Sequence, residues 1–154
     1  MALLSNELQK LVGQFKLSAS GALITWSKSY SVGIGSMDRE HQRLIDIINS
    51  LYAAMRSGKG KEVIGDILNE LIEYTKTHFA DEERLMRDSG YPGYEDQKRA
   101  HEVLIAKVLE IQEKYRSGTA LSQEIMSFLK NWLVNHIQGM DRKYGPHMKK
   151  KKIR

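Results

Sequence analysis

The segment KEVIGDILNELIEYTKTHFADEERLMRDS, residues 61–89, decides the fold of this chain. Its apolar residues recur every three or four positions, which places them along one face of an α-helix. That face contains Ile64, Ile67, Leu68, Leu71, Tyr74, His78, Glu82 and Leu85. Two polar residues, His78 and Glu82, therefore continue an apolar stripe. Because they are four residues apart, their side chains stack on the inward face of the helix.

Three other segments have the same helical periodicity, and glycine or proline follows each of the four. We expect helices at about 38–57, 61–89, 94–116 and 121–144, the last ending before Gly145 and Pro146. Short connections between long amphipathic helices favour antiparallel neighbours. The sequence thus predicts an all-α fold, an antiparallel up-down-up-down four-helix bundle. Residues 20–36 are predicted to form an irregular N-terminal arm packed on the bundle.

Length and charge indicate one domain with a basic end. The 154 residues suit a single core, and we divide them into a lead-in at 1–19, the domain at 20–146 and a basic tail at 147–154. Residues 142–154 contain seven basic residues and no acidic one. The net charge of the whole chain is +5, so the preceding 141 residues have a net charge of −2. Because the positive charge is confined to this end, we expect no nucleic-acid partner, and the tail is expected to be a solvated end.

Composition narrows the location and the chemistry. No apolar run is long enough to cross a membrane, so we expect no membrane contact by this domain. The chain contains no cysteine, which fits a cytoplasmic protein and excludes thiolate metal sites and cysteine nucleophiles. Any metal must be held by histidine and carboxylate side chains.

Each predicted helix brings a histidine to its inward face. The inward ionisable residues are His41, His78, Glu82, His101, His136 and Asp141. Burial of so many such groups is costly unless they are compensated. A polycation inside the bundle would compensate them, and a buried histidine–carboxylate hydrogen-bond network is the alternative.

The ligand types indicate the kind of metal. Imidazoles with only two carboxylates suit iron, zinc or copper better than magnesium or calcium. Six ligands exceed the four that one structural zinc requires, so two metals bridged by the carboxylates fit better. Ferritin-like di-iron bundles repeat Glu-x-x-His, but no histidine here follows a glutamate by three residues. The pattern therefore favours reversible binding over oxidation chemistry.

Six motifs in this order resemble those of the bacteriohemerythrin family, over about residues 24–145. They are ITW (24–26), VGI (32–34), DREH (38–41), HFADEE (78–83), GYP (90–92) and WLVNHI (132–137), followed by Asp141. The resemblance implies a hemerythrin-like domain that binds dioxygen, with dioxygen as ligand of a non-haem di-iron centre. Its cofactor would be two iron ions joined by an oxo or hydroxo bridge.

The resemblance also implies a role for each residue. His41 and His78 would ligate the iron that binds dioxygen, His101 and His136 the other iron, and Glu82 and Asp141 would bridge the two. The same alignment places an oxygen pocket at Leu44, Trp132, Leu133 and Ile137, for which ordinary core packing is an equally compatible role. His136 and Asp141 are five residues apart, roughly 140° around an ideal helix, which is tolerable if they approach the pair of metals from different sides.

Gln97 departs from the family pattern, which has a histidine four residues before His101. Its amide could be a weak ligand, leave the position to water, or form a hydrogen bond nearby. Neighbouring Glu95, Asp96 and Glu102 lie off the inward face and cannot easily replace the missing imidazole. We therefore expect Gln97 to be a weak or lost metal ligand.

Three functions are compatible with these residues. The first is a dioxygen-binding sensor or carrier domain, which is not a dedicated enzyme, since no nucleophile triad or phosphate loop occurs. The second is a redox-active di-iron protein whose opened site at Gln97 consumes oxygen or peroxide. The third is a structural or interaction bundle stabilised by metal. Residues 7–16, ELQKLVGQFK, resemble the end of a chemotaxis-receptor signalling region, which would make chemotaxis components partners.

Overall fold

The computed structural model of this chain describes residues 22–153, so the predicted lead-in at 1–19 lies outside the described residues. The long helices are α1 (Gly35–Arg56), α2 (Lys61–Ser89), α3 (Tyr94–Arg116) and α4 (Gln123–His136). A five-residue π-helical segment (Ile137–Asp141) joins α4 to a last helix, α5 (Arg142–Lys150). A single 3₁₀ turn, Lys28–Tyr30, precedes α1. The predicted all-α four-helix bundle is confirmed.

The side-chain contacts show that neighbouring helices are antiparallel. Glu82, near the end of α2, lies 3.2 Å from His41, near the start of α1. Glu82 is also 3.2 Å from His101, near the start of α3. Since the end of α2 meets the beginnings of both neighbours, the three helices alternate in direction, as short connections favour.

Helix α2 buries a wider face than the predicted stripe. Its buried residues include Ile72, Thr75, Phe79 and Met86, which lie outside the predicted stripe. Three stripe residues, Ile67, Tyr74 and Leu85, are only partly buried. The reason is that α2 packs against both α1 and α3, and a helix with two neighbours buries more than one stripe.

Most helix ends agree with the predicted stops. Helix α2 ends at Gly90, which has a left-handed φ of 70°, and the amide of Tyr91 donates to the Met86 carbonyl at 2.9 Å. This is the usual glycine C-terminal arrangement. At the start of α4, the Ser122 hydroxyl accepts a hydrogen bond from the Ile125 amide and caps the helix.

The predicted end at Tyr144 is wrong, because the helix continues through Gly145 and Pro146 to Lys150. Proline costs this helix one backbone hydrogen bond, but full burial of Tyr144 and Met148 holds it against the bundle. Gly145 is required for packing rather than for a turn. A Cβ at this position would lie 1.9 Å from the carbonyl oxygen of Val32.

The arm before α1 packs on the bundle as predicted. The Asn49 side chain accepts hydrogen bonds from the Leu23 and Ile24 amides at 2.9 and 3.0 Å and donates to the Ile24 carbonyl at 2.8 Å. Ile24, Val32 and Ile34 are all buried. None of the helices within residues 22–153 has the length and apolar character that a membrane span requires.

Candidate metal centre

Six predicted site residues meet inside one end of the bundle. They are His41, His78, Glu82, His101, His136 and Asp141, each at most 6% exposed. Antiparallel packing explains the meeting, because the contributing positions lie near the start of α1 and α3, near the end of α2, and at the end of α4 and in the π-helical segment that follows it. The structure therefore brings together the six side chains that the sequence placed inward.

The six side chains form two overlapping groups of potential metal ligands. His41 and His78 belong to one group, His101 and His136 belong to the other, and Glu82 and Asp141 belong to both. Within each group the ligand atoms all lie within 4.8 Å of one another. We refer to these as the first position and the second position.

Each shared carboxylate directs one oxygen to each position. Glu82 Oε2 lies 3.2 Å from His41 Nε2 and 3.4 Å from His78 Nε2, while its Oε1 lies 3.2 Å from His101 Nε2. Asp141 Oδ2 lies 3.1 Å from His41 Nε2, and its Oδ1 lies 3.2 Å from His136 Nε2. Two carboxylates that each bridge two metal ions would place one oxygen at each position in this way.

The π-helical segment brings His136 and Asp141 to the same side. In an ideal α-helix, residues five apart diverge by roughly 140°. The wider turn over Ile137–Asp141 returns the fifth residue to the starting face. His136 Nε2 and Asp141 Oδ1 consequently lie 3.2 Å apart. Single π-helical turns occur frequently at functional sites.

The unpaired atoms of the site test whether it fits metal ions. Among the described residues, the buried side-chain polar atoms without a hydrogen-bond partner are His41 Nδ1, Glu82 Oε1, Gln97 Oε1, His101 Nε2, His136 Nε2 and Asp141 Oδ2. Glu82 Oε1 and His101 Nε2 are close to each other but are not aligned as donor and acceptor. Buried polar atoms normally have partners. Glu82 Oε1, His101 Nε2 and His136 Nε2 belong to the second position, so an ion there would provide the partner that these three atoms lack.

The charges of the site are strongly coupled. Burial by itself would raise the pKa of Glu82, but nearby His78, His101 and His41 hold it well below its usual value. Burial also opposes protonation of His78, yet Glu82 and Glu40 raise the pKa of His78 to about 10. Without metal, these carboxylates therefore attract protons onto the imidazoles, and metal binding must release those protons.

Three groups outside the predicted set orient the ligands. His78 Nδ1 lies 2.7 Å from Glu40 Oε1, and His101 Nδ1 lies 2.8 Å from Glu83 Oε2. The Tyr144 hydroxyl donates to Glu82 Oε2 at 2.5 Å. Partners of this kind fix the ring orientation and the tautomer of metal-ligating histidines. The sequence pattern did not predict them, although Glu40 and Glu83 are adjacent in the chain to predicted ligands.

Gln97 is buried beside the second position. Its amide Nε2 donates to Asp141 Oδ1 at 2.9 Å, and the side chain is 1% exposed. Glu95, Asp96 and Glu102 are exposed and belong to neither group of ligands, as predicted. The second position therefore has two imidazoles and an amide where the family pattern has three imidazoles.

An apolar cavity lies next to the centre. Its volume of about 20 Å³ is close to that of one water-sized molecule. Leu44, Trp132 and Leu133 of the predicted oxygen pocket line it, together with Phe79, whose ring stacks on His101 at 3.7 Å. Ile137 is buried but does not line this cavity. The structure thus groups three of the four predicted pocket residues.

Comparison with known proteins gives one consistent result. Residues 32–148 match the model of the hemerythrin HHE cation binding domain. The chain is 38% identical over 128 residues to a bacteriohemerythrin of Stenotrophomonas maltophilia, covering 83% of each protein. It is 33% identical over 119 residues to a myohemerythrin of Riftia pachyptila, covering 77% of this chain and 88% of that protein. A crystal structure of wild-type hemerythrin superposes with a TM-score of 0.79 at 32% identity, covering 82% of this chain and 98% of that one.

Proposed function

Because this chain belongs to the hemerythrin family, we propose that it binds dioxygen at a di-iron centre inside its four-helix bundle. The observation that carries this function is the sharing of Glu82 and Asp141 by two histidine pairs. Two carboxylates whose oxygens divide between two positions suit two metals rather than one. Imidazole and carboxylate together are ligands that iron accepts.

We assign dioxygen binding to the first position. There, His41 and His78 provide two imidazoles, and no other described side chain joins them besides the shared carboxylates. Leu44, one turn after His41, lines the apolar cavity. A small apolar molecule such as dioxygen is compatible with such a space.

The protein's own residues hold the ligands and control protons. Iron, when bound, supplies the electrons that make dioxygen binding possible. Glu40 accepts a hydrogen bond from His78 Nδ1, which leaves Nε2 free to face the first position. Glu83 has the same relation to His101. Tyr144 fixes the orientation of Glu82 through its hydroxyl.

Absorption spectroscopy tests this function. Exposure of the reduced, iron-loaded protein to air should produce charge-transfer absorption in the near-ultraviolet, and removal of oxygen should reverse it. Elemental analysis should give about two irons per chain. Zinc-loaded protein is the control and should show no such band. If oxygen leaves the iron-loaded spectrum unchanged, the metal only stabilises the bundle.

A second function, consumption of oxygen or peroxide, is favoured by Gln97. A neutral amide is a weaker donor to iron than imidazole, so exogenous ligands reach the second position more easily. Air would then oxidise the ferrous protein irreversibly. The substitution Gln97→His should slow that oxidation, whereas equal oxidation rates at equal iron content would exclude this function.

We also propose that the domain is a cytoplasmic oxygen or redox sensor connected to chemotaxis. The proposal rests on the resemblance of residues 7–16 to the end of a receptor signalling region. Fusion of the chain to the signalling region of a chemotaxis receptor tests this proposal. Kinase output should change with oxygen in the fusion but not in the same fusion with His78→Ala.

A further inference from the structure

The amide oxygen of Gln97 has no partner, although the side chain is almost fully buried. The amide nitrogen is occupied by Asp141 Oδ1 at 2.9 Å. An ionised carboxylate only accepts hydrogen bonds, so the nitrogen, not the oxygen, must face Asp141. The free oxygen is therefore fixed in place by the bond that its own nitrogen makes.

Gln97 lies beside the second position, because the Asp141 oxygen that accepts from its amide, Oδ1, is the one that lies 3.2 Å from His136 Nε2. Other unpaired atoms of the site, Glu82 Oε1, His101 Nε2 and His136 Nε2, belong to the second position. Gln97 is one helical turn before His101, so both side chains lie on the same face of α3. Leaving a carbonyl oxygen buried and unpaired costs about 1–3 kcal/mol. A cation at the second position would satisfy all four atoms together.

We propose that Gln97 Oε1 is a ligand of the metal at the second position. This inference rests on the proposed di-iron function and concerns which atoms ligate the metal at one of its two positions. The second position would combine two imidazole nitrogens with amide and carboxylate oxygens. Because oxygen donors suit Mn²⁺ and imidazole suits Zn²⁺, this position should accept Mn²⁺ better than a three-histidine position does.

The hydrogen bond to Asp141 is the competing explanation for the presence of glutamine. If Gln97 only positions Asp141, its nitrogen matters and its oxygen does not. Gln97→Glu separates the two roles, since an ionised glutamate retains an oxygen ligand but cannot donate a hydrogen bond to Asp141. Gln97→Leu, of similar size, removes both groups.

Metal titration of the metal-free chain by calorimetry provides the test. In a His78→Ala background the first position keeps only one histidine, so the titration reports on the second position. Gln97→Leu should weaken Mn²⁺ binding there by about tenfold or more, and Gln97→Glu should restore it. Gln97→His should strengthen Zn²⁺ binding more than Mn²⁺ binding.

The reciprocal background, His101→Ala, is the matched control. There the titration reports on the first position, and the Gln97 variants should bind metal as the parent does. The proposal is overturned if Gln97→Leu leaves second-position affinity unchanged, if Gln97→Glu behaves like Gln97→Leu, or if both positions weaken equally. If the unmodified chain binds no metal at either position, the di-iron function itself fails.

Discussion

The Tyr144 hydroxyl provides a sharp test of how the bundle supports its centre. Tyr144 is fully buried and donates to Glu82 Oε2 at 2.5 Å. A hydrogen bond to a charged acceptor contributes about 1.5–3 kcal/mol. Tyr144→Phe removes only this oxygen, so the free energy of unfolding of the metal-free chain should fall by about that amount. At roughly 2–4 °C per kcal/mol, the melting temperature should fall by about 3–12 °C.

The same change should loosen the metal. Because Tyr144 orients a carboxylate shared by both positions, Tyr144→Phe should reduce metal affinity by about 10–100-fold. Thermal unfolding followed by circular dichroism and the rate of metal transfer to a chelator measure the two effects.

Tyr115→Phe is the matched control for this experiment. The Tyr115 hydroxyl donates to the Lys61 carbonyl at 3.0 Å, at the other end of α2. Its loss should cost about 0.5–1.5 kcal/mol of stability without any change in metal transfer. If Tyr144→Phe and Tyr115→Phe gave equal rates of metal transfer, Tyr144 would not support the centre.

Other predictions concern packing and pH. Gly145→Ala should destabilise the chain by about 1–3 kcal/mol in chemical denaturation, because its Cβ would collide with the Val32 carbonyl; Gly139→Ala, with open space around it, should be neutral or stabilising. If both substitutions have the same effect, the close approach at Gly145 is unimportant. Since Glu82 and Glu40 raise the pKa of His78 from 6.5 to about 10, its stabilising contribution to the metal-free chain is fully present below pH 6.5 and is lost as pH rises to about 10. Urea unfolding at several pH values should show this loss, and His78→Ala should reduce it.

Periodicity was sufficient to predict the bundle and the inward position of the six site residues. His78 and Glu82 are four residues apart in one helix, and His41 and His101 each lie on a clear apolar stripe, so local geometry determines where they point. Their convergence then follows from antiparallel packing. Gln97 stands four residues before His101, so the same geometry places it on the inward face, and it is buried.

The features that the sequence pattern did not predict depend on contacts between distant segments. Gly145 and Pro146 are typical of a helix end, but contact with the arm and burial of Tyr144 extend the helix past them. Glu40 and Glu83 are ordinary acidic residues until a histidine of another helix lies beside each of them. The π-helical segment has no periodic signal, since a single wide turn is too short to change the pattern.

The π-helical segment also bears on how fast the centre can lose its metals. Asp141 is the last residue of this segment, and its carboxylate belongs to both metal positions. If the segment opens locally, both positions lose a ligand at once while α1, α2 and α3 stay folded. Metal release should then follow the opening rate of residues 137–141 rather than the rate of global unfolding. Amide hydrogen exchange in that segment, compared with chelator-driven release, would measure both rates on the same protein.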